Sequence, residues 1–304
     1  MAEPAASRSP HLDPEQQDQA AGHAPLRAMV IHEVIRAEGE AELKRPAAAL
    51  FWSGLAAGLS MGFSFAAQAM LKDELGPAAG SHAVASLGYA LGFLIVVLGR
   101  QQLFTESTLT AVLPVFTSRD MAKAQAMLRL WAIVLAANLL GTWLFASALA
   151  YMHPFGAEVT TTMHDMAGES VADSFAHTAL RSVFAGWLIA LMVWLLPSAD
   201  HARFFVIAAL TWAVALGRLS HVIAGSTEAA YGVLTWQFPF ARYLIDFLVP
   251  TLLGNVAGGV ALVALLNHAP VSTEMEGAGI TEAKRGQPDE RPEPAGGELT
   301  SGAP

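Results

Sequence analysis

The chain of 304 residues has no cysteine, and only 14% of it is charged, where a soluble domain carries about a quarter. The first absence excludes disulfides, thiolate metal sites and a cysteine nucleophile. The second excludes an ordinary water-facing surface. Clustered positive charge is also lacking: residues 47–268 hold 11 acidic and 9 basic side chains, and most of the net charge of −9 lies in the tails. Nucleic acid is therefore not an expected partner, since phosphate binding needs grouped Lys and Arg. There is no glycine-rich phosphate loop, no paired His-Glu metal motif and no Gly-x-Ser-x-Gly elbow, so neither an enzyme nor a cofactor is expected. The first 26 residues have no apolar signal core and are expected to stay in the cytoplasm.

What is abundant is apolar. Six segments, Ala47–Leu71, Ala83–Phe116, Leu128–Ala150, Thr178–Leu196, Phe204–Leu234 and Leu244–Leu266, approach or exceed the roughly 20 residues that cross a bilayer as a helix. The second and fifth are overlong and interrupted, one by Arg100, Gln101, Gln102 and Glu106, the other by Arg218, His221 and Glu228. Both read as broken helices, whose freed backbone groups must be satisfied by protein or along a water-lined path. Leu98-Gly99-Arg100 recurs as Leu216-Gly217-Arg218, and Leu103 and His221 each follow three residues after the Arg, an offset of 118. The chain thus divides into two sets of three crossings, repeats of about 47–150 and 178–268. An odd number of crossings per copy makes the repeat inverted and puts its site near the midplane.

Twelve Lys and Arg fall in segments that would be cytoplasmic if the amino terminus is inside, against Lys72, Arg181 and Arg242 outside. This bias predicts a multi-pass protein of the plasma or inner membrane with both termini cytoplasmic. Residues 1–28 and 269–304 read as disordered cytoplasmic tails. Residues 29–45 read as an amphipathic helix on the cytoplasmic face, either a passive element or a gate. The outer loop, Tyr151–His177, carries His153, His164 and His177 beside carboxylates, and is read as solvated rather than as a metal site. Glycines four apart, at Gly54, Gly58 and Gly62, at Gly88 and Gly92, and at Gly254 and Gly258, predict closely packed helices.

Ionisable groups at membrane depth mark a pathway by default. His221 is able to give and take a proton near neutrality. Arg100 and Arg218 either attract anions or pair internally with Glu106 and Glu228, and the two roles are compatible. Leu103, Phe104 and Thr105 form the turn of the first break, a narrow and nearly dry constriction.

At these residues the sequence resembles the formate/nitrite transporter family. The resemblance covers about residues 29–268 and rests on Leu103-Phe104-Thr105 with Thr108, Gly186-Trp187-Leu188 with Val193-Trp194, and His221-Val222-Ile223-Ala224. It implies an all-α membrane fold with six helices in an aquaporin-like inverted repeat, a homopentamer, and one pore per protomer. It further implies a central Thr105–His221 pair, an outer constriction of Leu103, Phe104 and Ile189, and an inner one of Tyr89, Phe93 and Val214. Arg100 and Arg218 depart from the small residues expected at their positions, and Gly186 and Gly225 stand where asparagine is common. The function read from these features is a channel or transporter for small monovalent anions or their weak acids, with protons as partners and a proton shared with His221. A neutral-solute channel and a non-transporting membrane sensor are the alternatives.

Overall fold

The computed structural model describes residues 26–264, preceded by residues 11, 13, 15 and 16. Most of the expected amino-terminal tail, and all of the carboxyl-terminal one, lie outside the described residues. The elements are α1 (Ala28–Leu43), α2 (Ala47–Leu75), α3 (Ser81–Leu98), α4 (Ser107–Ser118), α5 (Met121–Met152), α6 (Ala157–Ser170), α7 (Phe175–Ser198), α8 (Arg203–Leu216), α9 (Ala224–Leu234) and α10 (Phe240–Ala261). Five of these, α2, α3, α5, α7 and α10, are long and apolar enough to cross a bilayer. The expected sixth crossing is divided between α8 and α9, because the fifth apolar segment breaks near its middle, whereas the break at 99–106 leaves α3 long enough alone. The outward surface is apolar, with Phe63, Leu91, Leu144, Phe184 and Leu253 exposed, as a lipid-facing surface must be.

The helices pair in a repeated way. α2 lies along α5, and α7 lies along α10. Each contact needs a glycine: a Cβ on Gly58 would overlap the backbone of Asn138, and one on Gly186 the backbone of Asn255. Gly58 belongs to the expected glycine face of the first span. Gly186, where asparagine was expected, does the equivalent work in α7. Close backbone approach of this kind replaces the hydrophobic drive that lipid removes.

α1 docks across the ends of α4 and α7 by burying Ile31 and Ile35 against Leu109, Leu113, Val193 and Trp194. Its polar side is tied by Lys123 to Glu40 at 2.7 Å and by Arg129 to the Arg45 carbonyl at 3.0 Å. The loop 151–177 is not the solvated connection expected of it. It folds into α6, which buries Met163, Met166 and Ala167 against α2, α5 and α9. Residues spaced three and four apart put those apolar groups on one face, a periodicity hidden among the acidic side chains. No group of three or more His, Cys, Asp or Glu able to hold a metal is found among the described residues.

Candidate pore and its two cavities

Both broken helices end identically. Arg100 and Arg218 take left-handed backbone conformations, φ 54 and 50. The amide N–H of Gln101 donates to the Val96 carbonyl and that of Arg100 to Val97, and Leu219 and Arg218 repeat this with Val214 and Ala215. This is the Schellman ending, which ordinarily places glycine in the left-handed position. Here Gly99 and Gly217 precede that position, and arginine occupies it at a cost of about 1 kcal/mol. The result is that each guanidinium is turned out of the bundle.

The extended segments after the arginines are held by two buried asparagines that the motifs did not flag. Asn138 Oδ1 accepts from the Phe104 N–H at 2.9 Å, while its Nδ2 donates to the carbonyls of Gly54 and Gln102 at 2.7 and 3.0 Å. Asn255 Oδ1 accepts from Val222 N–H at 2.8 Å, and its Nδ2 donates to Ser182 and Ser220 at 2.8 and 3.0 Å. Each amide thereby satisfies two backbone groups that the break had orphaned and ties them to a carbonyl of α2 or α7. A signal was present: Asn138-Leu-Leu-Gly141 and Asn255-Val-Ala-Gly258 are the same N-x-x-G pattern inside apolar spans.

The breaks meet at one contact. Thr105 Oγ1 lies 2.8 Å from His221 Nε2, and both residues are 1% exposed. His221 Nδ1 accepts from the Ala224 backbone N–H at 3.2 Å. A backbone N–H only donates, so the neutral ring carries its proton on Nε2 and donates it to Thr105. The Thr105 hydroxyl is left with its own proton to offer. Phe93 packs edge-on against His221 at 5.1 Å and touches Tyr89 at 5.3 Å. Leu103, Phe104, Ile189 and Val214 are buried in the same cluster, so all the expected constriction residues are brought together around the pair.

A cavity opens at each end of this plug. One of about 410 Å³ lies beside α1, lined by Gln102, Glu106, Arg100 and Val193 among others. One of about 150 Å³ lies beside α6, lined by Tyr89, His221, Glu228 and Arg218 among others. Tyr89 faces the cavity beside α6, whereas Gln102 and Val193, near Leu103 and Ile189, face the one beside α1. Chain direction sets this: α3 starts beside the α6 cavity, so its early residues lie at that end.

The expected internal pairs also do not form. Arg100 pairs with Glu38 of α1, and Arg218 with Glu169 of α6, each at 3.3 Å. Their side chains are 70% and 56% exposed, at the cavity mouths rather than at depth, because the left-handed backbone aims them there. Glu106 Oε1 is buried with no hydrogen-bond partner. Each cavity is lined by as many Asp and Glu as Lys and Arg side chains. Arg45, Arg100 and Arg203 face Glu38, Glu42 and Glu106 in one, and Lys72, Arg181 and Arg218 face Glu169, Asp173 and Glu228 in the other.

On α1, burial pushes the Glu42 carboxyl above the usual carboxylate range, partly offset by the Thr110 hydroxyl that donates to it at 2.7 Å. The hydrogen bond from Arg36 holds Glu33 below that range, and the one from Lys123 does the same for Glu40.

Comparison with known proteins agrees with this architecture. The family model described as formate/nitrite transporter matches residues 29–269. The chain is 42% identical over 261 residues to the inner membrane protein YfdC of Escherichia coli, covering 86% of this chain and 84% of that one. It is 24% identical over 249 residues to the formate channel FocA of Haemophilus influenzae, covering 72% and 85%. Among solved structures, it is similar to one titled FNT family ion channel, with a TM-score of 0.70 and 18% identity over 78% of this chain and 96% of that one. It is also similar to a pentameric formate channel with formate bound, with a TM-score of 0.62 and 18% identity over 72% and 95%. At that identity the two structures speak for the fold.

Proposed function

Because this chain belongs to the formate/nitrite transporter family and is a multi-pass membrane protein, we propose that it is a channel for small monovalent anions carried as their weak acids. On this reading each protomer of a homopentamer has its own pore, both termini are cytoplasmic, and the two halves, 47–150 and 178–268, are inverted copies. The observation that carries it is the Thr105–His221 hydrogen bond of 2.8 Å, buried in an apolar plug with a cavity at either end. A bare anion entering such a plug forfeits its hydration, whereas a neutral acid leaves behind far less. The Thr105 hydroxyl, already accepting from His221, is free to donate to the one substrate oxygen that needs a partner at the narrowest point. Leu103, Phe104 and Ile189 close one side of that point, and Tyr89, Phe93 and Val214 close the other.

The test is formate and nitrite uptake into proteoliposomes as the external pH is stepped from neutral to acid, for the unaltered protein and for His221→Phe. Saturable uptake that rises on acidification and collapses in the variant is expected. Uptake equal at every pH would remove the weak-acid step. The charge balance of the cavities favours one rival reading, a neutral-solute channel. Osmotic swelling in glycerol without any anion flux would establish that reading instead.

A further inference from the structure

We propose that Glu106 and Glu228 are the proton-exchange groups of the two cavities, each giving a proton to a weak-acid anion before it enters the Thr105–His221 plug and taking one back when the neutral acid leaves. The inference rests on the weak-acid reading above and names the residues that make it work. Three observations lead to it.

The central histidine is the obvious proton source, but both its ring nitrogens are engaged within the protein, one by the Ala224 N–H and the other by Thr105. The arginines are paired at the mouths with Glu38 and Glu169. What each cavity also offers is a carboxyl outside those pairs. Glu106 follows Thr105 directly and has a buried oxygen without any hydrogen bond. Glu228 forms no hydrogen bond or ion pair among the described residues and shares its cavity with His221 and Tyr89. A carboxyl used only for structure is normally paired, because an unpartnered buried one is costly. Each cavity holds one of them, Glu106 at the start of α4 beside one break and Glu228 in the second turn of α9 beside the other.

Neighbouring charges set the environment in which these groups titrate. Around Glu106 they are Glu38 and Glu42 of α1, Arg45 just after it, Arg100 of the break and Arg203 of α8. Around Glu228 they are Lys72 of α2, His82 and Tyr89 of α3, Glu169 of α6, Asp173 between α6 and α7, and Arg181 of α7. Arg218 and His221 of the second break complete that set. The step itself balances. The carboxyl O–H bond breaks as the anion's oxygen gains the proton, giving a neutral acid and a carboxylate, and the carboxylate is recharged from the aqueous phase through its own cavity. At the far end the neutral acid returns its proton to the second carboxylate, which releases it to water. One proton moves with each anion.

Formate uptake and the accompanying internal acidification, read with an entrapped pH dye, would be followed against external pH in proteoliposomes. Glu106→Gln and Glu228→Gln are each expected to lose at least about tenfold of the acid-stimulated component, the lower end of what a positioned proton donor contributes. Glu106→Asp and Glu228→Asp, which keep a carboxyl, are expected to retain the rise on acidification. Gln variants whose uptake falls by the same factor at every pH, or does not fall, would overturn the inference while leaving the weak-acid channel standing. Absence of uptake by the unaltered protein at every pH would remove both. Should the Gln variants fail to assemble, difference infrared spectra of the unaltered protein on adding formate decide the matter. Loss of protonated-carboxyl absorption is expected, and an unchanged carboxyl region would overturn the proposal.

Discussion

The two breaks share a backbone and differ in what they carry at the tip. The Schellman ending, the left-handed arginine and the asparagine bracket recur at both, with Gln102 and Phe104 matched by Ser220 and Val222 at an offset of 118. At the same offset, however, Leu103 is matched by His221, and Thr105 by Ile223. The polar contact at the centre is therefore not made by equivalent residues. Each break supplies one polar and one apolar group, in opposite order, so that a hydroxyl and an imidazole meet while Leu103 and Ile223 pack around them. The lesson is that the two breaks are alike where backbone geometry has to be satisfied twice, and differ where the contact needs one donor and one acceptor.

The strongest way to break this comparison is at the brackets. Asn138→Leu and Asn255→Leu each leave two backbone groups of a break unpaired, at about 1–3 kcal/mol per group, so each should lower stability by at least about 2 kcal/mol. Thermal unfolding in detergent should show the two losses to be similar. A bracket that matters in one half only would end the claim of equivalence.

Next in size is the asymmetric pair. Thr105→Val keeps the volume but leaves the Nε2 proton of His221 without an acceptor in a dry site, worth about 1–3 kcal/mol. Formate uptake should slow by a factor between about 5 and about 100, with assembly intact by size-exclusion chromatography. Ile223→Val, at the equivalent position of the other break, should leave uptake within about twofold, since one buried methyl costs about 1 kcal/mol of stability and touches no substrate donor.

The arginines should matter less. Both are exposed ion-pair partners, so Arg100→Gln and Arg218→Gln are expected to change stability by less than about 1 kcal/mol. Each leaves its cavity with one more negative than positive group, and anion uptake should fall by about fivefold at most, less at high salt.

The smallest effect concerns α1. Glu42 is raised by burial, so its contribution to docking is complete at acid pH and is lost as pH rises from the usual carboxylate range through its raised value. Glu33 and Glu40 are lowered, chiefly by Arg36 and Lys123, and act in the opposite sense, losing their contribution as pH falls. Hydrogen exchange of residues 28–43 should therefore quicken as pH rises, after correction for intrinsic rates, and Glu42→Gln should flatten that trend.

Much of this was legible from the residues alone. Runs such as Ala47–Leu71 announce crossings because lipid tolerates little else, and Leu-Gly-Arg repeated at a fixed offset announces two equivalent breaks. The Thr105–His221 contact was reachable only through family resemblance, since no spacing rule joins residues 116 apart. Pairing of Arg100 with Glu106 was a reasonable inference from proximity in sequence, and it failed because a left-handed residue reverses the direction of its side chain. The buried face of α6 was missed because its methionines and alanine are scattered among acids.

By itself, then, the sequence determined the medium, the breaks and the duplication, for these depend on local composition and on backbone groups that must be satisfied wherever the chain goes. Only the tertiary structure decided which groups share a cavity. Asn138 and Asn255 reach across to the breaks, Thr105 meets His221, the arginines turn to Glu38 and Glu169, and Glu106 Oε1 is left without a hydrogen bond among the described residues. Such outcomes depend on helix direction and on the sign of φ at single residues, and neither is written in the order of the side chains.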